Sequence, residues 1–445
     1  MKNKSRFAPS PSGLLHVGNA RSAVLNWAYI ENLGGDFILR IDDTDKERSK
    51  KDYEIKIKED LKWLGIEWKK TFNQSDNDKI YSQKIEYLKK NSKIYPCFET
   101  PDELSLKKKS QLSSGRPPIY DRSSLKLSKN EIENFIKSGI KPHWRLRLEE
   151  KKIEWEDIIK GKVIFDSKNL SDPILIREDG TLLYHLPSVI DDINEEITHI
   201  IRGEDHITNT AYHIQLFEAF NVPIPKFGHH PFLIDNEGKG FAKRLNSLSI
   251  RKIKEEGYEN LTLLNYLLSI GSSSNLSKEI NINELIKSFD INTISSSPPK
   301  FSLDVLKSLN KEIIQNYNFE DVRKKFLNLG TDNIQPNFWE FVKYNINFFS
   351  ESLEWLEIIN DTSSYKNENE NFLKEAAMLL PEHPYDLNTW ESWTNLISKK
   401  TGKKGKELFM PLRKALTGKD KGPELKYLLP LLSKETILKK LGINS

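Results

Sequence analysis

Residues 6–19 read Arg6-Phe7-Ala8-Pro9-Ser10-Pro11-Ser12-Gly13-Leu14-Leu15-His16-Val17-Gly18-Asn19. Arg6 to Ala8 has the character of a short strand, and Pro9, Pro11 and Gly13 break it. Beyond them Val17, Ala20, Val24 and Ala28 recur at helical spacing until Gly34-Gly35 stops the pattern. The stretch therefore predicts a strand, a stiff turn and a helix N-terminus in quick succession. Free N–H groups and the positive dipole end at such a terminus suit phosphate. His16 stands at that end, placed to donate a ring N–H to a phosphate oxygen. Gly18 lacks a Cβ, so a flat ligand could approach the backbone there. Taken alone, a His-x-Gly after a strand is an ordinary βα unit with a surface histidine.

Working outward, Asp36 to Ile41 reads as a second strand, and Tyr53, Ile57 and Leu61 mark a long helix running to Gly65. Alternating strands and helices imply a parallel sheet with ligands at its carboxyl ends. From about residue 92 to 180 the pattern changes. Pro96, Pro101, Pro117 and Pro118 punctuate it, and His143 to Leu148 alternates, as in an inserted domain of mixed character. Sheet signals resume at Leu182 to Leu186 and at Ile197 to Arg202, with Phe232-Leu233-Ile234 as the expected last strand. Beyond about residue 301 the apolar spacing is helical, as in Leu303, Leu306 and Leu309, and again in Leu425, Leu428, Leu429 and Leu432.

Composition excludes several classes. With 445 residues, two to four domains are expected. Lys and Arg number 68 against 64 Asp and Glu, a net charge of +4, so any nucleic-acid binding must use local patches. The single cysteine, Cys97, rules out an internal disulfide and a multi-cysteine zinc site. No long uncharged apolar run suggests a membrane span, and a cytoplasmic protein is expected.

Together the Pro-Ser-Pro-Ser-Gly lead-in, the His16-Val17-Gly18-Asn19 spacing and the following helix resemble the HIGH signature of class I aminoacyl-tRNA synthetases, in the form carried by bacterial-type glutamyl-tRNA synthetases. Gly240-Phe241-Ala242-Lys243-Arg244 lies where that family has its KMSKS loop, with Gly240 and Ala242 replacing the usual lysine and serine. Tyr95 to Leu104 resembles the start of the family's acceptor-binding insertion in a zinc-free form, because relatives with zinc carry several cysteines and a histidine there. Pro411 to Gly418 resembles a segment of the bacterial anticodon-binding helical domain.

The resemblance implies an α/β class I catalytic domain with a Rossmann-like parallel sheet and a mixed α/β insertion, followed by an all-α anticodon-binding domain. The corresponding boundaries are 1–91 and 181–240 for the two catalytic halves, 92–180 for the insertion, 241–300 for the KMSKS loop and stem-contact region, and 301–445 for the helical domain. It implies ATP-dependent activation of L-glutamate and transfer to tRNA(Glu), with magnesium accompanying ATP, no zinc, no other metal site and a monomeric chain. By the same resemblance His16, Lys243 and Arg244 are catalytic, and Pro9, His16, Gly18, Asn19 and Lys243 hold ATP. Arg6, Ala8, Ser10, Asp42, Tyr184 and Arg202 hold glutamate, since each carboxylate calls for a guanidinium fork and the ammonium for a carboxylate. Lys403, Lys404 and Arg413 are the candidate tRNA contacts.

Outside that frame, Arg202 is a charged strand end paired with Glu204, and Asp42 to Asp45 is a helix N-cap cluster. Three other readings compete. Enzymes that glutamylate a modified base lack the helical domain, glutaminyl enzymes have a β-rich C-terminal region, and a silent tRNA-binding paralogue would fit the altered loop at Gly240 and Ala242. Tyr344 to Glu354, the region expected to read the last anticodon base, contains no arginine, which makes tRNA(Gln) a second candidate substrate.

Overall fold

The computed structural model describes residues 2–235, 238, 248–331, 334–361, 363 and 369–443. The chain forms two compact units, one of residues 1–253 and 263–302, the other of 254–262 and 303–445.

The first unit is built on five parallel strands. They are β1 (Lys4–Phe7), β2 (Asp36–Ile41), β3 (Lys70–Asn73), β9 (His199–Gly203) and β10 (Lys226–His230), in the order β10-β9-β1-β2-β3. Helix α1 (Val17–Asn32) connects β1 to β2 and buries Val17, Ala20, Val24 and Ala28, the residues whose spacing predicted it. It ends where Gly34 takes a φ of +63°. Gly35 follows because a Cβ there would lie 2.6 Å from the Asn3 carbonyl oxygen.

The helices α2 (Lys51–Trp63) and α3 (Asp78–Lys90) complete the first half. β1 pairs with β9 only at Ser5 and His199, so the two strands splay. Asn26 of α1 fills the gap. Its Oδ1 accepts from Ser5 Oγ (2.7 Å) and Ile201 N (3.1 Å), and its Nδ2 donates to the Ile201 carbonyl. The order reverses on either side of β1, which opens a crevice at the carboxyl ends.

The inserted segment contains strands β4 (Ile94–Cys97), β5 (His143–Leu146) and β8 (Ile174–Ile176) in an antiparallel sheet, and a hairpin of β6 (Lys152–Asp157) and β7 (Gly161–Asp166). It also carries α4 (Pro101–Ser113) and α5 (Lys129–Lys137), both opened by capping boxes, from Thr100 and Ser128.

Two strand expectations are corrected. Leu182 to Leu186 is not a strand: Leu182 makes one isolated bridge to Ile176, and α6 (His185–Asn194) begins at His185. The apolar run is the buried face of a helix start, with Leu186, Val189 and Ile190 inside. The last strand is β10, not Phe232 to Ile234. Phe227-Gly228-His229-His230 reads as polar in sequence, yet it is buried because its histidines find partners. Phe232 is 47% exposed, and Ile234 bridges only Lys300. α7 (Ile207–Ala219) joins β9 to β10.

Among its described residues the second unit holds helices and no strand, from Leu303–Asn316 to Lys434–Lys440. Its interior is apolar, with Trp339, Trp393, Phe326, Leu412, Leu428 and Ile437 at 1% exposure or less. Among the described residues no helix is long and apolar enough to cross a membrane.

Candidate active site

The carboxyl ends of β1, β2, β9 and β10 and the start of α1 enclose a cavity of about 410 Å³. Its wall contains Arg6, Ala8, Pro9, Ser10, His16, Gly18, Asn19, Asp42, Tyr184 and Arg202, every candidate named before residue 240. It also contains groups the sequence reading missed, among them Ser22, Arg40, Asp205, His206 and His230. Arg40 had a usable signal, since it stands on β2 two residues before Asp42. His230 had none, because its exposure depends on how β10 ends.

His16 is the N-cap of α1, and its Nδ1 accepts the Asn19 N–H (3.4 Å). That leaves the ring proton on Nε2, available to a ligand. Burial lowers the His16 pKa, so the ring is a neutral donor. A Cβ on Gly18 would sit 3.2 Å from the His16 ring, a second reason for glycine there.

The three arginines differ in their partners. Arg6 holds Asp192 through Nε (2.9 Å) and Nη2 (3.2 Å). Arg40 reaches Asp192 through Nη1 (2.9 Å) and Asp42 through Nε (2.7 Å) and Nη2 (3.2 Å). Asp42 therefore lines the cavity with both oxygens engaged. Burial raises its pKa, against the pull of Arg40.

Arg202 is 6% exposed and has no carboxylate partner among the described residues. Its Nη1 donates to Tyr184 Oη (3.2 Å), its Nη2 to Thr210 Oγ1 (2.6 Å) and its Nε to His229 Nε2 (3.4 Å). Burial lowers its pKa, and the nearby Arg6 charge adds to that. Glu204, the expected partner, instead takes Lys160 (2.7 Å). A buried guanidinium among neutral groups is an unfavourable arrangement that an anionic ligand would relieve.

Asp42 to Asp45 is not an N-cap cluster either. α2 starts at Lys51, while Asp43 accepts from Ser75 and Asn73 and Asp45 pairs with Arg48.

Histidines complete the wall. Tyr184 Oη lies 3.3 Å from His206 Nδ1. Burial and the Arg202 charge push His185 and His206 down to about 4, and burial with Arg21 nearby pushes His230 to about 3. The cavity thus holds neutral imidazoles at neutral pH.

Lys243 and Arg244, with Gly240 and Ala242, lie outside the described residues. In the second unit Lys403 stands over the Phe372 ring (4.5 Å), and Arg413 Nη1 donates to the carbonyls of Gly422 (3.3 Å) and Pro423 (2.8 Å). Lys404 is exposed at the start of the helix Gly405–Thr417.

In the insertion, ligand atoms of Cys97, Glu99 and His143 fall within 4.8 Å of one another, a grouping that a single cysteine in the sequence gave no reason to expect. Its members already have other states. Burial pushes the Cys97 thiol up to about 11. Glu99 is held down at about 2, against burial, because Ser123 (2.6 Å), Tyr120 (2.8 Å) and Ser124 (2.9 Å) donate to it. His143 Nε2 is buried without a hydrogen-bond partner among the described residues.

A parallel sheet opening at β1, a histidine-capped helix N-terminus suited to phosphate and a buried arginine suited to a carboxylate describe an enzyme of the class I synthetase type. The chain belongs to the class I tRNA synthetases: residues 2–308 match the model for the class I (E and Q) catalytic domain, and residues 334–443 match an anticodon binding domain. It is 45% identical to a glutamate–tRNA ligase of Azospirillum brasilense over 437 residues, 98% of each chain. It is 44% identical to a glutamate–tRNA ligase 1 of Rickettsia bellii, over 98% of this chain and 99% of that one. A crystal structure of a glutamate tRNA ligase from Elizabethkingia meningosepticum in complex with its amino acid superposes with a TM-score of 0.82 at 25% identity, over 99% of both chains.

Proposed function

We propose that the chain is a glutamate–tRNA ligase, and Arg202 is the observation that carries the reading. Its guanidinium is preformed, buried and short of an anion, as a reader of a side-chain carboxylate must be. Tyr184 and Thr210 fix its plane. Arg6, braced by Asp192, is the complementary charge for the α-carboxylate, and Asp42 is the carboxylate for the ammonium.

In the first step a glutamate α-carboxylate oxygen forms a bond to the ATP α-phosphorus, and the bond to pyrophosphate breaks. In the second, the terminal ribose hydroxyl of the tRNA bonds to the glutamyl carbon, AMP leaves with the bonding pair, and the hydroxyl proton is released. His16 Nε2–H and the N-terminus of α1 stabilise phosphate charge, and Lys243 and Arg244 neutralise the departing pyrophosphate. Magnesium enters with ATP and supplies phosphate neutralisation, so it needs no all-protein cage. Pro9, Gly18 and Asn19 shape the nucleotide side of the cavity, while Ala8 and Ser10 shape the amino-acid side.

The second unit supports charging of tRNA(Gln) as well as tRNA(Glu). Tyr344 to Glu354 offers no guanidinium. Several of its polar groups are already engaged, with Asn345 donating to the Phe341 carbonyl and Ser352 to the Phe349 carbonyl, while Glu354 pairs with Lys419 (2.6 Å). Arg413 is tied to carbonyls of its own loop, and Arg323 lies near Glu320 (3.7 Å). Without a fixed donor fork, the last anticodon base is read weakly. Lys403 and Lys404 serve as phosphate contacts.

The test is aminoacylation with purified tRNA(Glu) and tRNA(Gln) and labelled glutamate. Charging of both supports the reading. Charging of tRNA(Gln) thousands of times slower overturns dual use, and no charging of either overturns the function.

The insertion holds together without zinc in this reading, through hydrogen bonds converging on Glu99. Metal analysis of purified protein should find no stoichiometric zinc. One zinc per chain that disappears in Cys97→Ser would contradict it and make Cys97, Glu99 and His143 ligands.

A further inference from the structure

The tip of the inserted hairpin lies against β10, the neighbour of the strand that carries Arg202. Between β6 and β7, Ile158 N donates to the Phe227 carbonyl (2.8 Å) on β10. Lys160 Nζ, two residues on, bonds Glu204 (2.7 Å), which follows β9. Asp157, at the end of β6, is fully buried and accepts a full set of donors. Its Oδ1 takes the backbone N–H groups of Ile159 (3.1 Å), Lys160 (3.0 Å) and His229 (3.0 Å). Its Oδ2 takes His229 Nδ1 (2.5 Å) and Trp155 Nε1 (3.2 Å). Five donors on one carboxylate hold the His229 proton on Nδ1. The opposite ring nitrogen, Nε2, is then an acceptor, and it meets Arg202 Nε (3.4 Å) and Thr210 Oγ1 (2.8 Å).

We propose that Asp157, from the inserted segment, and His229 are positioning residues that set the plane of the Arg202 guanidinium and so the affinity for the substrate's side-chain carboxylate. The inference rests on the proposed role of Arg202. Neither residue lines the cavity, so neither touches substrate. They act through the tautomer of one imidazole. Burial works to raise the Asp157 carboxyl, yet the His229 hydrogen bond and the backbone donors hold it at about 2, so it stays an acceptor throughout the working range.

The consequence of Asp157→Asn follows from donor counting. The amide oxygen remains with the three backbone N–H groups, which places the amide NH₂ against His229 Nδ1. Nδ1 must then accept, the ring proton moves to Nε2, and it opposes Arg202 Nε–H. Two donors face each other, and the guanidinium is displaced.

The experiment measures tRNA-dependent pyrophosphate exchange, with thermal unfolding as a folding control, for Asp157→Asn, Arg202→Ala and the double variant. Asp157→Asn alone should raise the glutamate KM about tenfold, the loss of one hydrogen bond's orientation, with the ATP KM within twofold. In the Arg202→Ala background it should add nothing, since the residue it positions is gone. An unchanged glutamate KM, or an equal rise in both backgrounds, overturns the inference. If Arg202→Ala itself leaves the glutamate KM unchanged, the role of Arg202 fails instead, and the two failures are distinct.

A second pair keeps the inference testable if Asp157→Asn does not fold. His229→Gln carries an amide oxygen able to accept from Arg202 Nε and should retain a lower glutamate KM than His229→Leu. Equal values for the two variants overturn the inference.

Discussion

The two compact units are folded by different kinds of interior. The first buries Arg6, Arg21, Arg40, Arg145 and Arg202, and eight of the nine histidines belong to it. The second buries tryptophan, phenylalanine and leucine, and its one histidine, His383, is exposed. Burying ionisable groups is costly unless each finds partners, and the first unit supplies them one by one: Asp192 for Arg6 and Arg40, two backbone carbonyls for Arg21, Asp157 for His229. Arg202 differs from Arg6 and Arg40, the other arginines of the cavity wall, in that its partners are the neutral Tyr184, Thr210 and His229. Among the described residues the second unit has a mostly apolar interior in which Glu259, Lys343 and Lys440 are the buried charges.

That difference also governs what the sequence revealed. Helical periodicity in the second unit needs only apolar spacing, and the stripe at Leu425, Leu428 and Leu429 is buried as expected. In the first unit α1 and β2 were legible for the same reason. β10 was not, because His229 and His230 look like surface residues until Asp157, 72 positions earlier, and Ser22, 208 positions earlier, are brought to them. The site candidates before residue 240 were legible through the HIGH lead-in and the family frame. Without that frame, Arg202 and Asp42 would have been assigned to partners they do not have. Arg40 was missed although it stands two residues before Asp42, whereas His206 and His230 were missed because their place in the wall depends on how β9 and β10 end, which a single sequence leaves open.

The contrast can be broken at its strongest point by removing packing from the second unit. Trp393 is fully buried, and its Nε1 donates to Ala376. Trp393→Ala should destabilise that unit by about 3–5 kcal/mol, measured by denaturant unfolding, while hydrogen exchange in residues 4–41 stays as in the parent. A loss below about 1 kcal/mol would show that the apolar interior is not what holds the helices.

The opposite change removes charge from the first unit's chemistry. Lys243→Ala should cut the rate of pyrophosphate exchange about a hundredfold or more and leave glutamate affinity near the parent value, because its charge matters when pyrophosphate leaves. Near-normal single-turnover adenylate formation would remove Lys243 from the mechanism.

Acid should separate the two units more gently. His185 and His206 titrate near 4 and His230 near 3, against 6.5 for an ordinary histidine. Between those values the unfolded chain binds more protons than the native one, so stability rises with pH. Their contribution is complete above about pH 6.5 and is lost as pH falls towards 4. Asp191, which burial raises to about 6, and Asp42, also raised by burial, work in the opposite direction, but His16, His143, His199, His213 and His229, all lowered by burial, add to the three. Hydrogen exchange corrected for intrinsic rates should show the first unit losing protection between pH 7 and pH 5 and the second changing less. Equal losses in both would mean that the buried imidazoles do not set the difference.

The central claim is that Arg202, a buried arginine of the cavity wall with no carboxylate partner among the described residues, is waiting for the substrate's side chain. Arg202→Ala, assayed by steady-state aminoacylation of tRNA(Glu) with glutamate and ATP varied in turn, tests it most directly. Removing the partner of a buried carboxylate should raise the glutamate KM about a hundredfold, with the ATP KM little changed. A rise in the ATP KM with glutamate unaffected would contradict the account and move Arg202 to the nucleotide side of the cavity.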